Sequence, residues 1–232
     1  MKSSSIAVLA HRRLRPLEPL SGRGPSLLAA ATVGYLVGTA PAAAVVARLK
    51  SGGSLDLRSA GSGNPGALNA LRLLGRRAGA AVVVADVGKG IAACAVGRRL
   101  AGDDGAHLAG AAAVAGHCYP LWTGFRGGKG VATSFGQCLY TFPVFAPVDA
   151  AVAVAVARAP GLRRPVLASV AASSTAWLLA SVLWWRRGGP NLWGPRPTAA
   201  LPLANAATVA IIASRMARRS RRERPDELGP RP

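Results

Sequence analysis

Charge-free apolar blocks dominate the chain. Residues 27–47, 105–125, 165–185 and 197–214 contain no Asp, Glu, Lys or Arg, and charged residues bound each block. Each block approaches or exceeds the roughly 18 apolar residues that carry a helix across a bilayer core about 30 Å thick. Residues 78–97 form a fifth block, interrupted by Asp86 and Lys89. Residues 130–157 form a sixth, broken by Pro143, Pro147 and Asp149, which reads either as one bent span or as two short ones. The pattern predicts an all-α, multi-pass membrane bundle of six or seven helices with no soluble domain. Small residues crowd these blocks, as close helix–helix packing in lipid requires. Trp177, Trp184, Trp185 and Trp193 gather towards one end of the 165–185 block, the place for an interfacial belt.

Outside the blocks the chain is basic. Residues 1–26 read as a flexible basic extension, 27–214 as the membrane domain, and 215–232 as an Arg-rich tail expected to be disordered. The whole chain of 232 residues carries 29 basic and 9 acidic side chains, a formal charge of +20, with only 16% charged residues. That charge fits either nucleic acid or anionic lipid, and the apolar blocks favour lipid. The same blocks exclude a disordered chain. Cys94, Cys118 and Cys138 form no C-x-x-C pair and lie in or beside apolar blocks, so they read as small buried hydrophobes. No metal site or cofactor is expected. With seven spans and an outside N-terminus, 18 basic residues fall inside and 10 outside; six spans with the N-terminus inside give 17 and 11. Charge bias alone therefore barely separates the two. Both models put residues 48–77 and 126–129 on one face.

Three polar segments carry candidate chemistry. The first, 58–72, contains Gly61, Ser62, Gly63, Asn64, Gly66, Asn69 and Arg72. Its literal G-x-G-x-x-G has no strand before it and Pro65 within it, which argues against a dinucleotide fold. A Gly/Ser/Asn loop leading into a short helix can still present backbone N–H groups to an anion, although an ordinary loop reads equally well. The second segment, 116–133, places Arg126 and Lys129 around Gly127 and Gly128, with His117, Gly124 and Gly130 nearby. Glycine there lets backbone approach a phosphate. The spacing from Gly124 to Lys129 is one short of a Walker A loop, and Gly130 stands where Ser or Thr would hold magnesium, so ATP hydrolysis is disfavoured. The third segment places Asp86 and Lys89 three apart inside a span, where they either pair with each other or reach a polar pocket under the loops.

These segments resemble the bacterial membrane acyl-phosphate:glycerol-3-phosphate acyltransferase family (the PlsY type). The family's G-S-G-N-x-G-A-T-N-x-x-R matches Gly61–Arg72, and its G-H-x-F-P-x-W-x-x-F-x-G-G-K-G-V-A-T matches Gly116–Thr133. Its D-x-x-K-G matches Asp86–Gly90. The resemblance implies seven spans, an outside N-terminus, cytoplasmic signature loops and residence in the bacterial inner membrane. It implies transfer of an acyl group from acyl phosphate to the 1-hydroxyl of glycerol 3-phosphate, giving lysophosphatidic acid and phosphate for phospholipid synthesis. Ser62, Arg72, Lys129 and His117 would be catalytic. Gly61, Gly63, Asn64, Gly66, Asn69, Asp86, Lys89, Gly124, Arg126, Gly127, Gly128 and Gly130 would line the substrate and phosphate site. Partners would be the two substrates and membrane lipid, with no nucleic acid and no specific protein partner.

An acyl phosphate is already activated, so no Ser or Cys acyl-enzyme is needed, and no His-x-x-x-x-Asp follows His107 or His117. Two positions depart from the family pattern. Leu68 replaces the Thr of G-A-T-N, and the family's final R-H-x-x-N-I-x-R-L reads Arg215-Met216-Ala217-Arg218-Arg219-Ser220 here, without its His and Asn. The alternative expectation is therefore a catalytically impaired relative that binds glycerol 3-phosphate or a lipid precursor. A carrier is disfavoured because no inverted repeat is visible.

Overall fold

The computed structural model describes residues 23–222, and every regular element among them is helical. In chain order these are α1 (Gly24–Gly38), α2 (Ala42–Ser51), α3 (Ala67–Leu74), α4 (Arg76–Cys118), α5 (Val131–Thr141), α6 (Ala146–Arg158), α7 (Pro165–Arg187) and α8 (Ala200–Arg222). A 3₁₀ turn at Leu121–Thr123 follows α4. Among the described residues, four segments are long and apolar enough to cross a membrane: Gly24–Ser51, Arg76–Thr123, Pro165–Arg187 and Ala200–Arg218.

The apolar blocks account for where these helices run, and non-helical backbone accounts for where they break. α4 is a hairpin. Ala101 (φ −142°, ψ 26°) and Gly102 (φ 65°, ψ −156°) reverse the chain in a conformation that favours glycine. Beyond the reversal the two legs pack antiparallel, with Gly97 against Gly105 and Cys94 against Gly110. Arg98 pairs with Asp103 at 3.0 Å across this turn. The turn is also tied to the α7–α8 connection, because Asp104 Oδ1 accepts from Thr198 Oγ1 at 2.8 Å and Asp103 Oδ2 from the Arg196 N–H at 3.1 Å.

α1 lies along the second leg of α4 in the same direction. Gly34 faces Ala109 and Gly38 faces Ala113 so closely that a Cβ on either would fall on the opposing carbonyl oxygen. Without a hydrophobic drive between helices in lipid, this backbone approach is what holds such a pair together. α5 runs parallel to the first leg of α4, and α8 runs back along α5. Ile212 sits by Gly130, Thr208 Oγ1 donates to Gln137 Oε1 at 2.9 Å, and Leu201 packs with Phe142. Residues 98–104, 142–145 and 188–199 therefore share one end of the bundle. Arg72, Lys129, Arg164 and Met216 share the other, called here the motif face.

Two expectations need adjusting. Helix α8 continues to Arg222, so the first eight residues of the segment expected to be a disordered tail are helical. A run of Arg costs a helix little, since straight-chain residues lose little rotamer freedom there. Residues 223–232 and nearly all of the basic N-terminal extension lie outside the described residues. Trp177 is not part of an interfacial belt. It is 4% exposed and packs with Cys138, Phe142, Ala146 and Leu201 inside the bundle. The three cysteines are buried and unpaired, as small apolar residues would be.

Candidate active site

The loop before α3 is organised by one side chain. Asn69, 2% exposed, accepts from the Ser62 N–H through Oδ1 at 3.0 Å and donates through Nδ2 to Leu57 O and Ala60 O, both at 3.0 Å. All of its amide groups are thus spent on the loop, and Asn69 shapes the turn that carries Ser62. Gly61 (φ 59°) and Gly63 (φ 63°) take the left-handed backbone this winding demands. Gly66 opens α3 with its N–H bonded to Asn64 O at 2.8 Å. Arg72, in the last turn of α3, is exposed and reaches the motif face.

The second loop folds back on the end of α4. The Gly127 N–H donates to Cys118 O and the Gly128 N–H to His117 O, each at 3.1 Å. Gly128 lies directly on the His117 ring, where a Cβ would meet Nε2. Arg215 from α8 holds the same two residues from outside, donating Nη2–H to Gly127 O at 2.6 Å and Nε–H to Gly128 O at 3.2 Å. Its guanidinium and that of Arg218 lie 5.7 and 5.9 Å from the centre of the Tyr119 ring, within cation–π range. Gly130 (φ 84°) then turns the chain into α5. The loop is therefore clamped from both sides, and Lys129 projects from its middle.

Beneath it lies a buried ionic cluster. Lys89 Nζ is 2.9 Å from Asp86 Oδ1, and His117 Nδ1 is 3.4 Å from the same oxygen. Lys89 also donates to Ala40 O at 3.1 Å, at the break between α1 and α2. Of the two sequence readings of Asp86 and Lys89 the structure contains both at once: the pair forms, and His117 joins it under the loops. The polar crevice around these three residues also takes in Arg58, Pro65, Gly127 and Gly128, but its volume is only about 30 Å³. That holds one or two waters rather than a phosphorylated triol.

The larger space is a groove between α7 and α8, with a volume of about 970 Å³. Its walls are Val166, Leu167 and Val170 from α7 and Val209, Ile212 and Met216 from α8. Arg72, Lys129 and Arg164 stand at its polar end, one each from α3, the second loop and the residue before α7. Arg72 and Lys129, separated by a 57-position gap in sequence, are thus brought together. Ser62, Asn64, Gly124 and Arg126 line neither space. Arg164 was not singled out in the sequence; its only signal was a basic residue before Pro165 on the expected motif face. Nor was the double hold of Arg215 on the glycine pair.

The chain is thus an all-helical membrane bundle with a groove that is apolar along its walls and cationic at one end. The chain belongs to the glycerol-3-phosphate acyltransferase family, whose sequence model matches residues 28–222. It is 39% identical over 155 residues to the "Glycerol-3-phosphate acyltransferase" of Thermoanaerobacter pseudethanolicus, covering 66% of this chain and 76% of the relative. A relative with the same description from Roseobacter denitrificans is 39% identical over 179 residues, covering 71% and 88%. Among solved structures, the crystal structure of PlsY (YgiH), an integral membrane glycerol 3-phosphate acyltransferase in its glycerol 3-phosphate form, superposes with a TM-score of 0.66 at 30% identity. That match covers 85% of this chain and 92% of the other. The lysophosphatidic acid form matches with a TM-score of 0.65 at 28% identity, covering 85% and 91%.

Proposed function

We propose that this protein transfers an acyl group from acyl phosphate to the 1-hydroxyl of glycerol 3-phosphate, releasing lysophosphatidic acid and phosphate. The observation that carries the reading is the joining of Arg72, Lys129 and Arg164 to one end of a 970 Å³ apolar groove. An acyl phosphate is an anionic head on an apolar tail, and the groove has that polarity along its length. The acyl chain lies between α7 and α8, and its carbonyl and phosphate lie among the cations. Glycerol 3-phosphate brings a second dianion to the same rim, beside the first two loops.

The hydroxyl oxygen adds to the carbonyl carbon, the carbonyl–phosphate C–O bond breaks, and the phosphate leaves with the electron pair and takes up the hydroxyl proton. No protein nucleophile enters this balance. The chain's work is to align two anions that repel each other and to neutralise the charge that grows on the departing oxygen. Lys129 and Arg72 supply that charge, and the family motif, rather than the lining of the groove, assigns Ser62 to the attacking hydroxyl. Asn69, Asp86, Lys89 and His117 act behind them by holding the two loops.

The alternation of helix directions supports seven passes, with both legs of α4, α5, α6, α7 and α8 each crossing once and α1–α2 supplying the first. The motif face is then cytoplasmic and the membrane is the bacterial inner membrane. Helices α5 and α6, with 11 and 13 residues, are each shorter than a straight span needs. The test is purified protein in lipid with acyl phosphate and labelled glycerol 3-phosphate, read as lysophosphatidic acid. Lys129→Ala should lower turnover by about 100-fold or more while the bundle stays folded. Unchanged activity would overturn the assignment. Met216 favours a second reading, because it lines the groove where the family pattern has His. Glycerol 3-phosphate binding without turnover would support that impaired relative instead.

A further inference from the structure

The lining of the groove between α7 and α8 runs in step along the two helices. On α7 the lining positions recur at Leu167, Val170 and Ser174, and on α8 at Met216, Ile212 and Val209. Each set follows the three- and four-residue spacing of a single helix face. One turn further on the same faces come Trp177 and Asn205. Both are buried, at 4% and 0% exposure, and they meet across the two helices. With its amide oriented to satisfy both atoms, Asn205 accepts from Trp177 Nε1–H at 3.2 Å and donates to Leu201 O at 3.3 Å.

We propose that the Trp177–Asn205 pair is the floor of the groove and determines the length of acyl chain that the protein transfers. The inference rests on the acyl-phosphate reading above. Because α7 and α8 run antiparallel, the two stripes reach the floor at the same depth and the pair closes the groove from both walls. Swinging the indole aside would strand a buried amide in an apolar bundle, a cost that keeps it in place. Phe142, Leu201 and Cys138 pack with the indole. Helical rise puts the floor about 10 Å below Ile212, the level of the second loop, and about 20 Å below Arg164, a depth that holds about eight to fifteen extended methylenes. A longer chain must bend out through the lipid-facing side, losing the contacts that align its carbonyl.

The experiment measures kcat/KM for a homologous series of medium- to long-chain acyl phosphates in reconstituted membranes. The wild type is compared with Trp177→Ala and with Val209→Phe, which fills the last turn before the floor. Removing the indole opens about one more helical turn, about 5.4 Å, so the preferred chain should lengthen by about four carbons. Val209→Phe should shift the preference the other way. In each variant the ratio of kcat/KM for the newly favoured chain over the wild-type optimum should change by about ten-fold or more. Should Trp177→Ala fail to fold, the Val209→Phe profile decides alone. Active variants whose profiles match the wild type would overturn the floor while leaving the acyl-phosphate reading intact. A wild type that turns over no acyl phosphate of any length would overturn both.

Discussion

Replacing Gly128 by alanine tests whether catalysis depends on the second loop lying flat against His117. A Cβ at this position falls on the imidazole Nε2. The ring cannot move away, because Nδ1 is held 3.4 Å from Asp86 and the residue is 8% exposed. The loop must therefore shift, and it is pinned on its other side by Arg215, whose Nη2–H and Nε–H bond Gly127 O and Gly128 O at 2.6 and 3.2 Å. A displacement of about 1 Å carries Lys129, the next residue, out of line, and misplacement of that size costs about 100-fold in rate. Overpacking and a weakened Arg215 contact together cost about 1–3 kcal/mol of stability, well short of unfolding a bundle of this size. Two measurements separate the effects: kcat/KM for lysophosphatidic acid formation in lipid, and thermal unfolding in detergent. The expected result is a loss of about two orders of magnitude in kcat/KM with a fall of a few degrees in Tm. Activity within about three-fold of wild type would refute the claim that loop position limits the rate.

The same loop illustrates what sequence could and could not disclose. The charge-free blocks at 105–125, 165–185 and 197–214 declared their helices because lipid demands unbroken apolar runs. The break inside 130–157 was equally visible, since Pro143 falls between α5 and α6. What a side chain does within a motif was less legible. Asn69 looked like a ligand-binding amide, yet three backbone groups 7 to 12 residues earlier consume its hydrogen bonds, a closure that only the folded loop defines. His117 as a lone imidazole read as structural and became catalytic only through the family resemblance; in the fold one nitrogen faces Asp86 and the other faces Gly128. Arg164 was invisible because it stands outside every motif and gains meaning only when α7 sets it beside Arg72 and Lys129. Residue type and spacing thus located the loops, whereas the hydrogen bonds and close contacts that hold them had to come from the packing.

Residues at the rim and residues behind the loops carry distinct expectations. Arg164, exposed at the rim, should act on substrate alone: Arg164→Ala should raise KM for acyl phosphate by about ten-fold or more with Tm unchanged, and Arg164→Lys should recover part of the loss. An unaltered KM would remove it from the site. Asp86 should act on the fold first, because Asp86→Ala leaves Lys89 buried without its carboxylate, a loss of about 3–5 kcal/mol readable as a large fall in Tm. Restoring Tm by adding Lys89→Met would identify the stranded charge as the cause, and a Tm that stays low would exclude it. Met216 carries the question of whether this chain is a slow enzyme. It shares the groove with Lys129 and fills the place of the histidine in the family's last motif, so a thioether stands where an imidazole could exchange protons. If that loss limits turnover, Met216→His should raise kcat by about ten-fold or more, since a positioned imidazole contributes at least that much to proton transfer. An unchanged kcat would mean that the cations at the rim, with the phosphate as its own proton acceptor, already supply all the catalysis this chain uses.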